Sequence, residues 1–284
     1  MSKSLRNEYF GPYKLIRSIG SVHGASRYIV LCNRTDTNYT LYRFENIHNQ
    51  HIRRQAFHAF LKMSAVEHPH IHKIISATYD DRGQLCVITP YTGNHEGIVL
   101  LDDLLHRQDG KFGVIEASRA IEHLLGAVAH AHKHGIVNGT IKQEDLLVDR
   151  YGCLQIQFYG YESSIRSSED QSASKSSDIN DEVRSIIDHG YTMLTGLTTA
   201  GERINPSRVI KRLDRAWDTW FDIGLDPLDG FESVEHAINA MPTNSNSPEW
   251  LVKKSARIIP TVQVGSLLRR RFRSSQSSQA RPNQ

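Results

Sequence analysis

Over the first ninety residues, apolar and polar positions alternate in short runs: Tyr13–Gly20, Ser26–Cys32, Tyr39–Glu45, Lys73–Tyr79 and Gln84–Pro90. Each run is bounded by Gly, Asn, Asp or Pro, so the pattern predicts five strands. Between the third and fourth, Phe57, Phe60, Leu61, Met63 and Val66 fall at helical spacing, and the segment Ile52–Val66 closes at His68-Pro69. After Tyr91 the period changes to 3.6. Ala117, Ile121, Leu124, Leu125, Val128 and Ala131 mark one core helix. Val183, Ile186, Ile187, Gly190, Tyr191 and Leu194 mark another. Between them, Leu146–Asp149 and Cys153–Phe158 form a small hairpin that turns at Arg150-Tyr151-Gly152.

Other segments lack such a period. Ser163–Ser177 contains eight serines and almost no bulky apolar residue, which predicts a loop without regular structure. Beyond Met241, Pro242–Pro248 is a polar linker, and Ser247-Pro248 is a start signal for one short helix through Arg257. From Ser266 the chain is Arg, Ser and Gln, a composition that predicts disorder. The expected architecture is α+β, with a strand-rich first part and a helical second part.

Five strands and one helix feeding a helical part through Thr89-Pro90-Tyr91 resemble the protein kinase superfamily, with its β-rich N-lobe and helical C-lobe. The most specific string is His134-Gly135-Ile136-Val137-Asn138-Gly139-Thr140-Ile141-Lys142-Gln143-Glu144-Asp145-Leu146-Leu147-Val148-Asp149, which is similar to a kinase catalytic loop with its flanking elements. His68-Pro69-His70-Ile71, the segment from Asp181-Glu182 to Gly196, and Asp226-Pro227 followed by Ser233–Ala240 agree with it. The resemblance implies a domain over residues 9–241, with lobes at 9–90 and 91–241. Residues 1–8 precede it, and residues 242–284 form a linker, a short helix and a tail.

Phosphoryl transfer is mostly positioning and charge neutralisation, so each part that the resemblance implies can be looked for. In Ile19-Gly20-Ser21-Val22-His23-Gly24-Ala25 only Gly20 keeps the register of a phosphate loop, and Val22 and Ala25 stand where backbone should approach phosphate. Arg43 falls at the phosphate-binding lysine, and Ala59 at its glutamate partner. An arginine fork is no conservative substitute for a compact ammonium. Thr140 replaces the carboxylate that orients the substrate hydroxyl, and Phe158-Tyr159-Gly160 replaces the metal-binding Asp-Phe-Gly. Lys142 remains, and Asp145 occupies the other metal-ligand position. No proline lies between Pro90 and Pro206, so an Ala-Pro-Glu anchor is impossible there. The expectation is a degenerate kinase, a pseudokinase, with no catalytic or metal set. Any weak ATP binding would draw on Gly20, Arg43, Thr89, Lys142 and Asp145.

Bland readings stand beside these. Lys142 can pack its stem on the helical lobe and bond carbonyls, and Arg43 can pair with Glu45, Asp145 or another carboxylate. Asp181 and Glu182 suit a helix N-terminus, and in the kinase fold such carboxylates hold the catalytic loop backbone. His68-x-His70-x-His72 and His130-x-His132-x-His134 carry metal-ligand residue types, yet residues two apart on a helix do not share a face. They are read as a loop turn and a solvated helix end.

Charge adds one feature. The 284 residues carry 34 Lys plus Arg against 31 Asp plus Glu, but Trp250–Gln284 holds eight basic residues and no acidic one. Arg269, Arg270, Arg271 and Arg273 are therefore candidates for polyanion contact. With one aromatic among four arginines, a nucleic-acid stacking platform is excluded. Cys32, Cys86 and Cys153 are isolated and odd in number, which argues against a disulfide framework. Neither a secretory leader nor a membrane-spanning run is visible, so a reducing cytoplasm is expected. Three functions stay open: a binding, scaffold or regulatory module with an unnamed protein partner, an atypical serine/threonine kinase or other nucleotide-dependent transferase using Arg43, Lys142 and Asp145, and an electrostatic adaptor acting through the tail.

Overall fold

Strand alternation builds one six-stranded antiparallel sheet in the order β1-β2-β3-β4-β6-β5, from β1 (Tyr9–Phe10), β2 (Tyr13–Val22), β3 (Ala25–Cys32), β4 (Thr37–Phe44), β5 (Ser76–Tyr79) and β6 (Leu85–Pro90). The computed structural model describes residues 8–93, 99–165 and 171–242. Strand β1 was absent from the sequence pattern, because two residues carry no period. On β4 the period of two sorts the side chains cleanly. Tyr42 and Phe44 join the main core, whereas Leu41 packs with Leu15, Val30, Cys86 and Ile88 on the opposite face.

Helix α1 (Gln50–Ser64) lies against the main-core face and buries Ala56, Ala59, Phe60 and Met63. Asn49 caps it, its side-chain oxygen accepting from the backbone N–H groups of His51 and Ile52 at 2.8 and 3.3 Å. The loop that follows ties the sheet lobe to the helical lobe. Ile71 forms a parallel bridge to Ile156, and His72 N–H donates to the Ile156 carbonyl at 2.9 Å while Ile156 N–H donates to the His70 carbonyl at 2.9 Å.

The helical lobe comprises α2 (Leu101–Arg107), α3 (Val114–Lys133), the hairpin β7 (Leu146–Val148) and β8 (Leu154–Ile156), α4 (Tyr161–Ile165), α5 (Gln171–Thr195), α6 (Pro206–Val209), α7 (Ala216–Gly224) and α8 (Val234–Asn239). Helices α3 and α5 are the two whose periodicity the sequence announced. They pack closely because Gly190 of α5 lets Ile121 of α3 approach, and a Cβ at Gly190 would lie 2.7 Å from Ile121 Cδ1.

The serine-rich segment departs from expectation, for Tyr161–Ile165 and Gln171–Ser177 are helical. No glycine or proline occurs from 161 to 189. Once the core half of α5 is packed, helix propagation back through Ser, Lys and Asp adds one hydrogen bond per residue fixed. The features expected of the tail, including the short helix through Arg257 and the arginines at 269–273, lie outside the described residues. Among the described residues, no helix is long and apolar enough to cross a membrane.

Gly190→Ala should destabilise the domain by about 1–3 kcal/mol, the cost of overpacking a closed helix contact. Urea unfolding of the two proteins checks this.

Candidate functional site

The loop joining β2 and β3 is a two-residue turn. His23 and Gly24 both have positive φ, 50° and 71°, and Val22 pairs with Ala25 across it. Such a turn matches the right-handed strand twist, and glycine at its second place removes the Cβ penalty. A tight hairpin tip thus stands where the resemblance implied a phosphate-cradling loop, and it directs His23 into the cleft between the lobes. His23 Nε2 lies 2.6 Å from Asp145 Oδ1, with both side chains 5% exposed. The contact is ionic rather than an aligned hydrogen bond, since neither atom has a partner of good hydrogen-bond geometry.

Burial alone pushes the His23 imidazole down, yet Asp145, helped by Glu144 and Glu162, outweighs it and the net shift is upward. His23 Nδ1 is 3.7 Å from Glu162 Oε1, and the same carboxylate accepts from Lys142 Nζ at 2.5 Å. Lys142 is held above its ordinary range chiefly by that bond to Glu162. The other Asp145 oxygen, Oδ2, accepts from Lys142 N–H at 2.9 Å. Lys142 and Asp145, expected in a nucleotide site, are therefore engaged by groups of the chain itself.

Above this ion cluster the cleft is filled with rings. Phe158 lies 4.6 Å from Tyr42, 5.1 Å from Phe60 and 5.9 Å from Phe44 between centroids. Tyr161 stacks on Phe60 at 5.0 Å and 12°, and it lies 5.5 Å from Phe44. His23 meets Phe158 edge-on at 6.0 Å. These separations are those of favourable aromatic pairs. Phe158 adopts φ 48°, a left-handed conformation that costs energy for a bulky residue and persists only where its surroundings demand it. Gly160, also at positive φ, passes beneath, its N–H donating to Asn138 Oδ1 at 2.6 Å.

Arg43 is elsewhere. It extends from the sheet face opposite Tyr42, where Nη1 meets Glu8 Oε1 at 3.1 Å and Nε lies 3.5 Å from Asp80 Oδ2. Its guanidinium sits 5.5 Å from the Tyr28 ring and lines a cavity of ≈ 460 Å³ with Tyr79 and Asp80. From β4, Tyr42 and Phe44 project toward Phe158, with Tyr42 the nearer. Tyr42 also reaches a polar partner. Its hydroxyl donates to Gln157 Oε1 at 3.3 Å, and burial pushes its phenol up to about 12. Thr40-Tyr42-Phe44 against Leu41-Arg43 was the available signal, since a shift of one residue in a strand moves every side chain to the other face.

The remaining candidates are scattered. Ala59 is buried on α1 beside Phe60. Gly20 sits at a bulge of β2 with φ 92°. Thr89 is fully buried opposite Thr40, its hydroxyl bonded to the Pro90 carbonyl at 3.2 Å. Thr140 is exposed and lines a groove of ≈ 420 Å³ with Asp181, Arg184 and Asp188.

Helix α5 holds the loop that precedes Lys142. Ile141 N–H donates to Ser185 Oγ at 3.0 Å, and His189 Nε2 donates to the Ile141 carbonyl at 2.9 Å. Glu182 is wholly buried and lies 2.9 Å from His132 Nε2. Burial keeps its carboxyl above the ordinary range despite His132 and Tyr159. Asp181 instead bonds Arg184 at 2.6 Å. Among the described residues, no group of three or more His, Cys, Asp or Glu could hold a metal ion.

A magnesium nucleotide would need a hard oxygen cage and an accessible cation. Here Asp145 is in contact with the His23 imidazole, and the Phe158 ring, packed on Tyr42, meets that imidazole edge-on. The residues do not fit that group.

Comparison with known proteins agrees with this geometry in fold. The protein kinase domain family matches residues 13–180, and the chain belongs to it. The rice CBL-interacting protein kinase 9 is 24% identical over 163 residues, covering 55% of this chain and 33% of that protein. Serine/threonine-protein kinase PrkC of Bacillus subtilis is 24% identical over 160 residues, covering 55% of this chain and 24% of that protein. The match thus spans a quarter to a third of the length of these relatives. The crystal structure of the Mycobacterium tuberculosis PknI kinase domain superposes with a TM-score of 0.64 at 18% identity, covering 85% of this chain and 98% of that one.

The His23 contact has a definite pH signature. Its imidazole is raised above the ordinary 6.5, so its stabilisation is full below 6.5 and lost as pH rises through the folded value. His23→Gln should therefore lower the urea midpoint more at pH 6 than at pH 8.5, and unfolding series at the two pH values measure that difference.

Proposed function

We propose that this kinase-family chain is catalytically impaired and works as a pseudokinase, a binding or regulatory module. The observation that carries the reading is the occupation of the cleft by the chain's own groups: His23 on Asp145, and Phe158, Tyr161, Tyr42 and Phe60 where a phosphate, a metal and a lysine would have to meet. Thr140 supports it, because a hydroxyl has no basicity near pH 7 with which to accept a substrate proton. The named relatives are kinases, but this chain has Thr140 and Phe158 where kinase chemistry uses carboxylates, and its Lys142 and Asp145 are engaged by its own groups.

The rival transferase reading loses most of its support with Arg43, which is committed to Glu8 and Asp80 on the far face of the sheet. Opening the site to nucleotide would require withdrawing His23 and displacing packed rings, and binding would be weakened by the cost of both. The adaptor reading rests on tail residues outside the described structure.

Ligand that binds only the folded state stabilises it in proportion to the logarithm of its concentration over Kd. The expected result is no rise in melting temperature with millimolar ATP, with or without Mg²⁺, and no phosphate transfer to generic protein substrates. A clear Mg²⁺-dependent rise would contradict the reading.

A further inference from the structure

The two histidine strings, remote in sequence, meet where the lobes join. His68 and His70 come from the loop after α1, and His123, His130 and His134 come from α3 and its C-terminal cap. His70 stacks on His123 with centroids 4.1 Å apart and planes at 19°. His68 lies 5.7 Å from His70 and 5.2 Å from His130, and His130 lies 4.6 Å from His134. Five imidazoles thus form one continuous row across the junction between sheet lobe and helical lobe.

One hydrogen bond of this row requires a deprotonated nitrogen, and two others tie its rings to backbone carbonyls. His68 Nδ1 accepts the N–H of His70 at 3.2 Å, so that nitrogen cannot carry a proton while the bond exists. His70 Nδ1 donates to the Leu154 carbonyl of β8 at 2.8 Å, and His134 Nδ1 donates to the His130 carbonyl at 3.0 Å.

The charged groups around the row offer no compensation. From α3, Arg119 adds positive charge at His123, and Glu122 is exposed to solvent. From the loop, Glu67 is bonded by Lys73 at 2.6 Å, and His72 faces Gln155. From the end of α1, Lys62 Nζ donates to the Gly135 carbonyl at 3.1 Å. From the hairpin, Asp149 accepts from the N–H groups of Tyr151 and Cys153 in its own turn. His132, between His130 and His134 in sequence, pairs with Glu182, whereas none of the five forms an ion pair with a carboxylate among the described residues.

We propose that the row His68, His70, His123, His130 and His134 is an acid-sensitive clasp between the two lobes, closed while His68 and His123 are neutral and loosened when these two take up protons. Protonation of His68 Nδ1 would break its bond from His70 N–H, and charge on His123, stacked 4.1 Å from His70, would be opposed by the positive charge of Arg119. The loop carrying His68 and His70 also carries the backbone bonds to β8, so loosening acts on the link between lobes. In agreement, His68 is depressed by burial and by His70 and His130, and His123 is depressed to about 4 by burial and by His70, Arg119 and His68. The sign follows: depressed groups hold fewer protons folded than unfolded, so their stabilisation is complete above 6.5 and is lost as pH falls toward the folded values. This clasp is independent of whether the cleft binds nucleotide.

The test uses the full chain in two measurements. Hydrogen exchange, corrected for the intrinsic rate, should show protection falling at residues 67–75 and 130–137 between pH 7 and pH 5, ahead of the α3–α5 core. In His68→Gln/His123→Gln that local fall should be reduced by half or more. Should the double variant not fold, imidazole titration of the wild-type chain by NMR decides: His68 and His123 are expected to titrate below 6.5. Uniform loss of protection, an unchanged fall in a folded variant, or titration of both rings at the ordinary value would overturn the proposal.

Discussion

A carboxylate buried between two lobes has to be neutralised by something, and much of the structure follows from what neutralises Asp145. The answer is His23, delivered by a two-residue turn whose backbone brings an imidazole to 2.6 Å from the carboxylate. Glu162 and Lys142 extend the cluster, so the charges beneath the turn are compensated within the chain. With Tyr42 on β4 and Phe158 in the metal position, the space above needs no ion and closes with aromatic contacts. Changes at one place make sense of changes at another. A phenylalanine at 158 would be a poor neighbour for a lysine at 42, and a glutamate on α1 would be unpaired beside it.

The lower half of the site keeps more of its architecture. Ser185 and His189 of α5 grip both backbone groups of Ile141, and Asn138 holds Gly160 N–H. These bonds position a loop that carries Thr140. On the proposed reading scaffold and chemistry have separated: the bonds that shape the loop are present, while rings, a hydroxyl and an internal ion cluster stand where groups acting on a phosphate would be.

Much of the fold was legible because it rests on period. Five of the six sheet strands, α1, α3 and the core half of α5 follow from alternation and helical spacing, and the string from His134 to Asp149 fixed the family resemblance. Short elements such as β1 and α6 carry too few residues to show a period. The serine-rich segment misled because composition speaks of solvent, not of whether a packed helix will propagate into it. Arg43 misled for a geometric reason. Motif register placed it at the lysine, whereas the pleat places Tyr42 in the cleft and Arg43 on the outer face. His23 and Glu162 were not singled out, since an ion pair across the cleft joins residues with no sequence relation. The histidine row across the lobes was hidden by the same cause.

A double-mutant cycle measures the His23–Asp145 contact directly. His23→Gln, Asp145→Asn and the double variant would be unfolded in urea at pH 6 and at pH 9. A coupling of about 0.5–3 kcal/mol at pH 6, the range for residues in direct contact, that shrinks at pH 9 as the imidazole loses its proton is the predicted result. Additive effects at both pH values would contradict it, and with it the claim that the chain neutralises its own cleft.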